Sequence, residues 1–205
     1  MHFTAHSAVH LQALGADFYA CSPYKFLGPH CGVLAASPDL LEGMRPQKLL
    51  PSPDVVPERF ELGTLPYELL AGTTAAVDFL ASLSPVGGDR RARLVAAMDA
   101  IGAHEDRLRA RIEDGLAELR GVTVYSRAQH RTPTLLVSFE GRKSVDAYTF
   151  LAERGVNAPA SSFYALEASR RLGLGDGGAL RIGVAPYVDD ADVDRLLDGL
   201  QAFAS

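Results

Sequence analysis

Three lysines, Lys25, Lys48 and Lys143, stand among twenty basic residues that are otherwise arginine, and one of the three has neighbours suited to chemistry. Lys25 lies in Ser22-Pro23-Tyr24-Lys25-Phe26-Leu27-Gly28-Pro29, a segment that surrounds the amine with a hydroxyl, aromatic rings and a glycine. A lysine on a tight loop at the end of an apolar run is well placed to be partly desolvated. Burial lowers a lysine's pKa, and the neutral amine is the form that condenses with an aldehyde. On loop composition alone, a solvated lysine without a chemical role is the commoner outcome. Arg181, taken singly, reads as half of a surface ion pair. His2, His6 and His10 follow i, i+4, i+8 spacing, which on one helix would align three imidazoles for a metal ion. The short irregular sequence before Leu11, and the lack of a carboxylate or thiol to complete the set, weigh against that, and no metal is expected. His104 and His130 are isolated, with solvated or capping roles expected. Cys21 and Cys31 are too few and too close in sequence for a disulfide framework and read as reduced, structural thiols.

The elements that must position these residues follow from apolar spacing and punctuation. Asp17 to Ser22 is a short apolar run that stops at Ser-Pro, a buried strand ending in the Lys25 loop; Val33 to Ala36 is its return strand. Ser37-Pro38-Asp39-Leu40 reads as a helix start, and residues 45 to 57, with four prolines, as an irregular traverse. Leu69, Leu70, Thr73, Ala76, Val77 and Leu80 predict a buried helix from Tyr67 to Leu83. Gly87-Gly88 ends it. A long amphipathic helix is predicted from Arg90 to Leu119, with Leu94, Met98, Ile101, Leu108, Ile112, Leu116 and Leu119 on its stripe, connecting two lobes. Beyond Gly121 the pattern predicts strands at 122–125, at 134–139, around Val156 and at 179–184. Helices are predicted at 144–154 and 190–203, the last capped and charge-balanced by Asp189, Asp190, Asp192 and Asp194. The fold class is α/β, divided as residues 1–88 and 89–205.

Composition narrows the function classes. The chain has 205 residues, 47% hydrophobic and 22% charged, enough to bury a real core. The net charge of -5, without a basic run, disfavours nucleic acid. No apolar stretch approaches the roughly 18 to 20 residues that span a bilayer, and no basic-then-apolar leader follows Met1, so a cytoplasmic protein without a membrane role is expected.

Three motifs then carry a resemblance across nearly the whole chain. ADFYACSPYKFLGPHCG, within His2 to Gly32, closely resembles the lysine region of class V aminotransferases and cysteine desulfurases, where D-F-x-x-x-S precedes an aromatic or His, the Schiff-base lysine and Gly-Pro. Phe60-Glu61-Leu62-Gly63-Thr64 is similar to the family's E-x-G-T segment. Leu180-Arg181-Ile182-Gly183 with Tyr187 resembles its closing R-x-G-x-x-x-Y motif.

The resemblance implies a pyridoxal 5'-phosphate enzyme of the aspartate-aminotransferase fold, a transferase or lyase acting on an amino acid. Residues 1–88 would be the tail of the large cofactor domain and 89–205 the connecting helix and small C-terminal domain. It implies Lys25 as the Schiff-base residue and proton carrier at the substrate α-carbon, and Ser22 and Tyr24 at the cofactor phosphate. His2 would contact the ring oxygen. Gly63 and Thr64 would reach the partner subunit's cofactor in a homodimer with shared active sites. Arg181 would clamp the substrate carboxylate, a task suited to a planar guanidinium, and Tyr164 and Ser162 would line the substrate pocket. The family's ring-nitrogen Asp would precede Met1, so the chain corresponds to a C-terminal portion without the N-terminal half; a truncated product, or a misassigned start at a GTG codon, is expected. The desulfurase loop cysteine has no counterpart in Asn157 to Leu166 (NAPASSFYAL), so a persulfide mechanism lacks its nucleophile. The alternative is a catalytically inactive fragment serving as a dimerisation or regulatory module.

Overall fold

The computed structural model describes residues 2–204 and divides into two compact units, residues 1–100 and 101–205. In the first unit, β1 (Phe18–Cys21) and β2 (Val33–Ala36) form an antiparallel pair in the register Phe18↔Ala36 to Cys21↔Val33. Ahead of it lie a 3₁₀ turn at Phe3–Ala5 and the short helix α1 (Leu11–Leu14). The His10 ring nitrogen caps α1 by accepting from the Ala13 N–H at 3.3 Å. Residues 2–10 therefore do not make one helix, and the three-imidazole alignment that i, i+4, i+8 spacing would require is not formed.

After β2, Ser37 Oγ accepts from the Leu40 N–H at 3.1 Å and caps α2 (Pro38–Glu42), with proline at the first position where its missing N–H costs nothing. The proline-rich traverse is irregular as expected, and it is tied down by Arg59. This buried side chain, in the 3₁₀ turn Glu58–Phe60, pairs with Glu42 and donates to the Met44 carbonyl at 3.2 Å. Helix α3 (Tyr67–Ser82) buries Ala76, Leu80 and Ala81, while Tyr67, Leu70 and Phe79 are exposed. The expected buried helix is thus covered along one stripe only.

Most of the exposed large apolar side chains of the described residues belong to this unit, among them Leu34, Leu50, Leu62 and Phe79; the second unit has Val145, Tyr164, Leu172 and Tyr187. The two-stranded sheet, with Phe18, Val33 and Leu34 exposed, leaves both outer strand edges unpaired among the described residues.

Helix α4 (Arg90–Ala117) begins in the first unit and ends in the second. Its buried stripe of Met98, Ile101, Leu108, Ile112 and Leu116 matches the sequence periodicity, and Glu105 is buried on the same stripe. In the second unit, β3 (Val122–Val124), β4 (Thr134–Phe139), β5 (Ala160–Ser161) and β6 (Ala179–Gly183) form an antiparallel sheet in the order β3-β4-β6-β5. Strand β4 alternates buried and half-buried positions, as a strand with one covered face must. Leu135, Val137 and Phe139 from β4 and Leu180 and Ile182 from β6 enter one core. They meet Leu108 and Ile112 of α4, Leu151 of α5 (Ser144–Ala152) and Leu196 and Leu200 of α7 (Asp190–Ala204). Asp189 and Asp192 exchange side-chain and backbone hydrogen bonds at 3.0 and 3.2 Å, the expected cap of α7.

Two further expectations are corrected: the first is β1, which is not a buried strand but alternates between exposed and half-buried residues. Val156 is not in a strand: the strand lies later, at Ala160–Ser161, and a short helix that the sequence reading lacks, α6, occupies Leu166–Arg171. The Val156 N–H donates to the Leu151 carbonyl at 3.0 Å just after Gly155, at φ 75°, so it closes the end of α5, and its apolar side chain packs on the core as the hydrophobic contact of that cap.

Candidate functional site

Lys25 lies where β1 ends. Ser22 leaves the strand extended, Pro23 at the first turn position presets φ, and Pro23–Phe26 closes as a 3₁₀ turn. Lys25 N–H donates to the Ser22 carbonyl at 3.0 Å and Gly28 N–H to the Pro23 carbonyl at 2.9 Å, while Leu27 adopts φ 68° to reverse the chain. Gly28 is required by space: a Cβ there would lie 2.8 Å from the Pro23 Cβ and 3.0 Å from its oxygen. Ser22 and Pro23 are buried at the base of the turn.

The Lys25 amine sits 4.7 Å from the centre of the Tyr24 ring, which stacks on His30 at 4.8 Å. Among the described residues no carboxylate pairs with Lys25, whereas Lys48 is held by Asp54 at 3.0 Å and the Ser52 carbonyl at 2.8 Å. The turn is braced from two sides. The Phe3–Ala5 turn, which His2 immediately precedes, packs against it. Helix α3 packs on the other side, where Gly72 gives Pro29 room, a Cβ there falling 3.3 Å from the Pro29 ring, and Thr73 Oγ1 lies 3.4 Å from Cys31 Sγ. The sequence reading missed this anchoring of the lysine loop on α3. Gly63, at φ 78°, and Thr64 are exposed in the loop before α3. Burial pushes the Cys21 thiol up, away from the thiolate that sulfur chemistry would need.

Arg181 and Tyr164 belong to the second unit. Arg181 stands in β6 between buried Leu180 and Ile182, so it projects from the sheet face opposite the core, and Leu136 is its cross-strand neighbour. Its guanidinium carbon lies 4.2 Å from the centre of the Phe163 ring. Tyr164 is fully exposed. Ser162 and Phe163 line an apolar cavity of about 190 Å³ with Leu136, Leu172 and Leu174. Phe163 is not singled out by the sequence, because its contact with Arg181 depends on a local turn that no motif signals.

The lysine turn at a strand end in one unit and the Arg181–Phe163 contact in the other belong to a mixed α/β protein that superposes on about half of a solved cysteine desulfurase. The CsdA cysteine desulfurase of Escherichia coli is similar at 28% identity and a TM-score of 0.81, over 97% of this chain and 48% of that one. The cysteine desulfurase of Thermococcus onnurineus, at 22% identity and a TM-score of 0.83, shares the fold over 98% of this chain and 50% of its own. The aminotransferase class-V family model matches residues 3–196, and the chain belongs to that family. A probable cysteine desulfurase of Pseudomonas putida is 32% identical over 95% of this chain and 47% of its own length. The aminotransferase-like protein FGM3 of Gibberella zeae is 28% identical over 97% and 49%. The chain spans about half the length of these relatives.

Proposed function

We propose that the chain is the lysine-bearing part of a pyridoxal-phosphate enzyme that acts on an amino acid, with Lys25 as the amine that bonds the cofactor's aldehyde. The observation that carries this reading is the Lys25 turn: a rigid strand-end loop, closed by Gly28 and braced on α3, that presents an amine without a carboxylate partner beside aromatic rings. Those residues fit the group, since an acid neighbour would hold the lysine charged and unreactive. Bound there, pyridoxal phosphate supplies an electron sink for negative charge at the substrate α-carbon.

The chain's own residues have separate tasks in this reading. Ser22 and Tyr24 hold the phosphate at the turn, and His2 contacts the ring oxygen. Lys25, once released, moves the proton at the α-carbon. Arg181 binds the substrate carboxylate with its in-plane donors, and Tyr164 borders the substrate. Gly63 and Thr64 serve the partner's site in a homodimer. The division of labour follows residues 1–88 and 89–205, in a cytoplasmic setting. Asn157 to Leu166 has no cysteine, which favours transfer or lyase chemistry without a persulfide.

The test is the absorption spectrum of the purified protein with pyridoxal phosphate, followed by borohydride reduction and peptide mapping. A visible band trapped on Lys25 supports the reading. No band, or labelling scattered over Lys48 and Lys143, defeats it and favours an inactive interaction module, consistent with the exposed apolar side chains of residues 1–100.

A further inference from the structure

The register of the second sheet separates Phe163 from Arg181. Ala160 faces Leu180 and Ser161 faces Ala179, so an extended continuation would carry Phe163 away from Arg181 along β6. Two consecutive left-handed residues reverse that course: Phe163 at φ 50° and Tyr164 at φ 65°, a conformation that side-chain-bearing residues seldom adopt. The Phe163 N–H donates to Ser161 Oγ at 2.9 Å and fixes the turn. Gly178 lets the Ser161 carbonyl come close against the opposite strand's approach. The result is the Arg181 guanidinium carbon over the Phe163 ring, 4.2 Å from its centre. Among the described residues no carboxylate pairs with Arg181.

A ring against the face of a guanidinium leaves its N–H donors free in the plane, the direction from which a carboxylate is bound by two parallel hydrogen bonds. It also removes rotamer freedom from a long side chain before any ligand arrives. We infer that Phe163 is the positioning residue for Arg181: the strained 161–164 turn exists to hold the guanidinium flat and edge-on for the α-carboxylate of an amino acid. This rests on the reading of Arg181 as the carboxylate clamp.

The full chain, labelled with ¹⁵N-arginine, tests both. The Arg181 Nε–H resonance, assigned by its loss in Arg181→Lys, should carry a ring-current shift that disappears in Phe163→Leu and persists in Phe163→Trp. L-alanine should perturb that resonance, and ethylamine, which lacks the carboxylate, should not. Phe163→Leu should weaken L-alanine binding by about three- to tenfold, the range that a cation–π contact supports, with Phe163→Trp close to wild type. Ser161→Ala, which frees the turn without touching the ring, should shift binding in the same direction and covers the case in which Phe163→Leu fails to fold. Equal effects of L-alanine and ethylamine would overturn the clamp and the inference with it. Carboxylate-dependent binding that Phe163→Leu and Ser161→Ala leave unchanged, or an Arg181 resonance without a ring-current shift, would overturn the inference alone.

Discussion

Gly178 and Ser161 approach so closely that a Cβ added to Gly178 would lie 2.0 Å from the Ser161 carbonyl oxygen. That is backbone against backbone, and Gly178 also has φ 66°, so no rotamer change relieves a substitution. Gly178→Ala is expected to cost more than about 2 kcal/mol in denaturant unfolding, because it combines left-handed strain with a steric clash. Gly177→Ala, with nothing within 4 Å of its Cβ, is expected to stay within about 0.5 kcal/mol of wild type. Equal effects of the two would contradict the close approach.

Asp190 at the start of α7 receives both Arg107 donors, at 2.8 and 3.1 Å, and one from Arg111 at 3.0 Å. The Arg107 hydrogen bonds, ahead of the charge attraction, hold its carboxyl below the ordinary value of 3.8. The stabilising contribution is therefore complete above that value and is lost as pH falls through the lowered pKa. The pair is exposed to solvent, so the effect is small and screened by salt. Stability followed against pH should show a decline below about 3.8 that is shallower in Asp190→Asn. Parallel curves would argue against the pairing.

The lysine turn has its own steric control. Gly28→Ala would drive a Cβ to 2.8 Å from the Pro23 Cβ, forcing the turn to open, whereas Gly32→Ala meets nothing within 4 Å. Borohydride-trapped label on Lys25 is expected to fall by about tenfold or more in Gly28→Ala, the scale of a reacting group displaced by about 1 Å. It should be unchanged in Gly32→Ala. Peptide mapping reads the ratio directly.

The core of the second unit is expected to respond to loss of volume. Leu108, fully buried on α4, packs in the cluster with Leu180 and Leu200. Leu108→Ala should cost about 2–5 kcal/mol, the transfer term plus the cavity left behind. A loss below about 1 kcal/mol in urea unfolding would mean that the site collapses around the smaller side chain.

Regular elements were legible where a pattern of sufficient length met a clear stop. The β2 and β4 bounds and the α4 stripe follow directly from apolar spacing. Val156 misled because a helix-closing cap and a short strand both ask for an isolated apolar residue after glycine. Helix α6, of six residues, is too short to show a period and lacks a side-chain cap. Lys25 stands out in the sequence by the composition of its loop and by its motif. Phe163 does not, since its contact with Arg181 depends on two φ angles that ordinary residues rarely adopt. The partial exposure of α3 was hidden too, because periodicity reveals which stripe is apolar and says nothing of what covers it.

The two-stranded ribbon of β1 and β2, with its exposed apolar side chains, has a consequence for the order of synthesis. Residues 2–100 leave the ribosome before the segment that owns the larger buried cluster, so the open-edged ribbon waits for roughly 5–20 seconds while the following residues are made. During that interval the backbone edges that no described strand pairs, and the exposed Leu34, are available to other nascent chains. The demand that residues 2–100 place on chaperones therefore falls in the interval before residues 101–204 are complete.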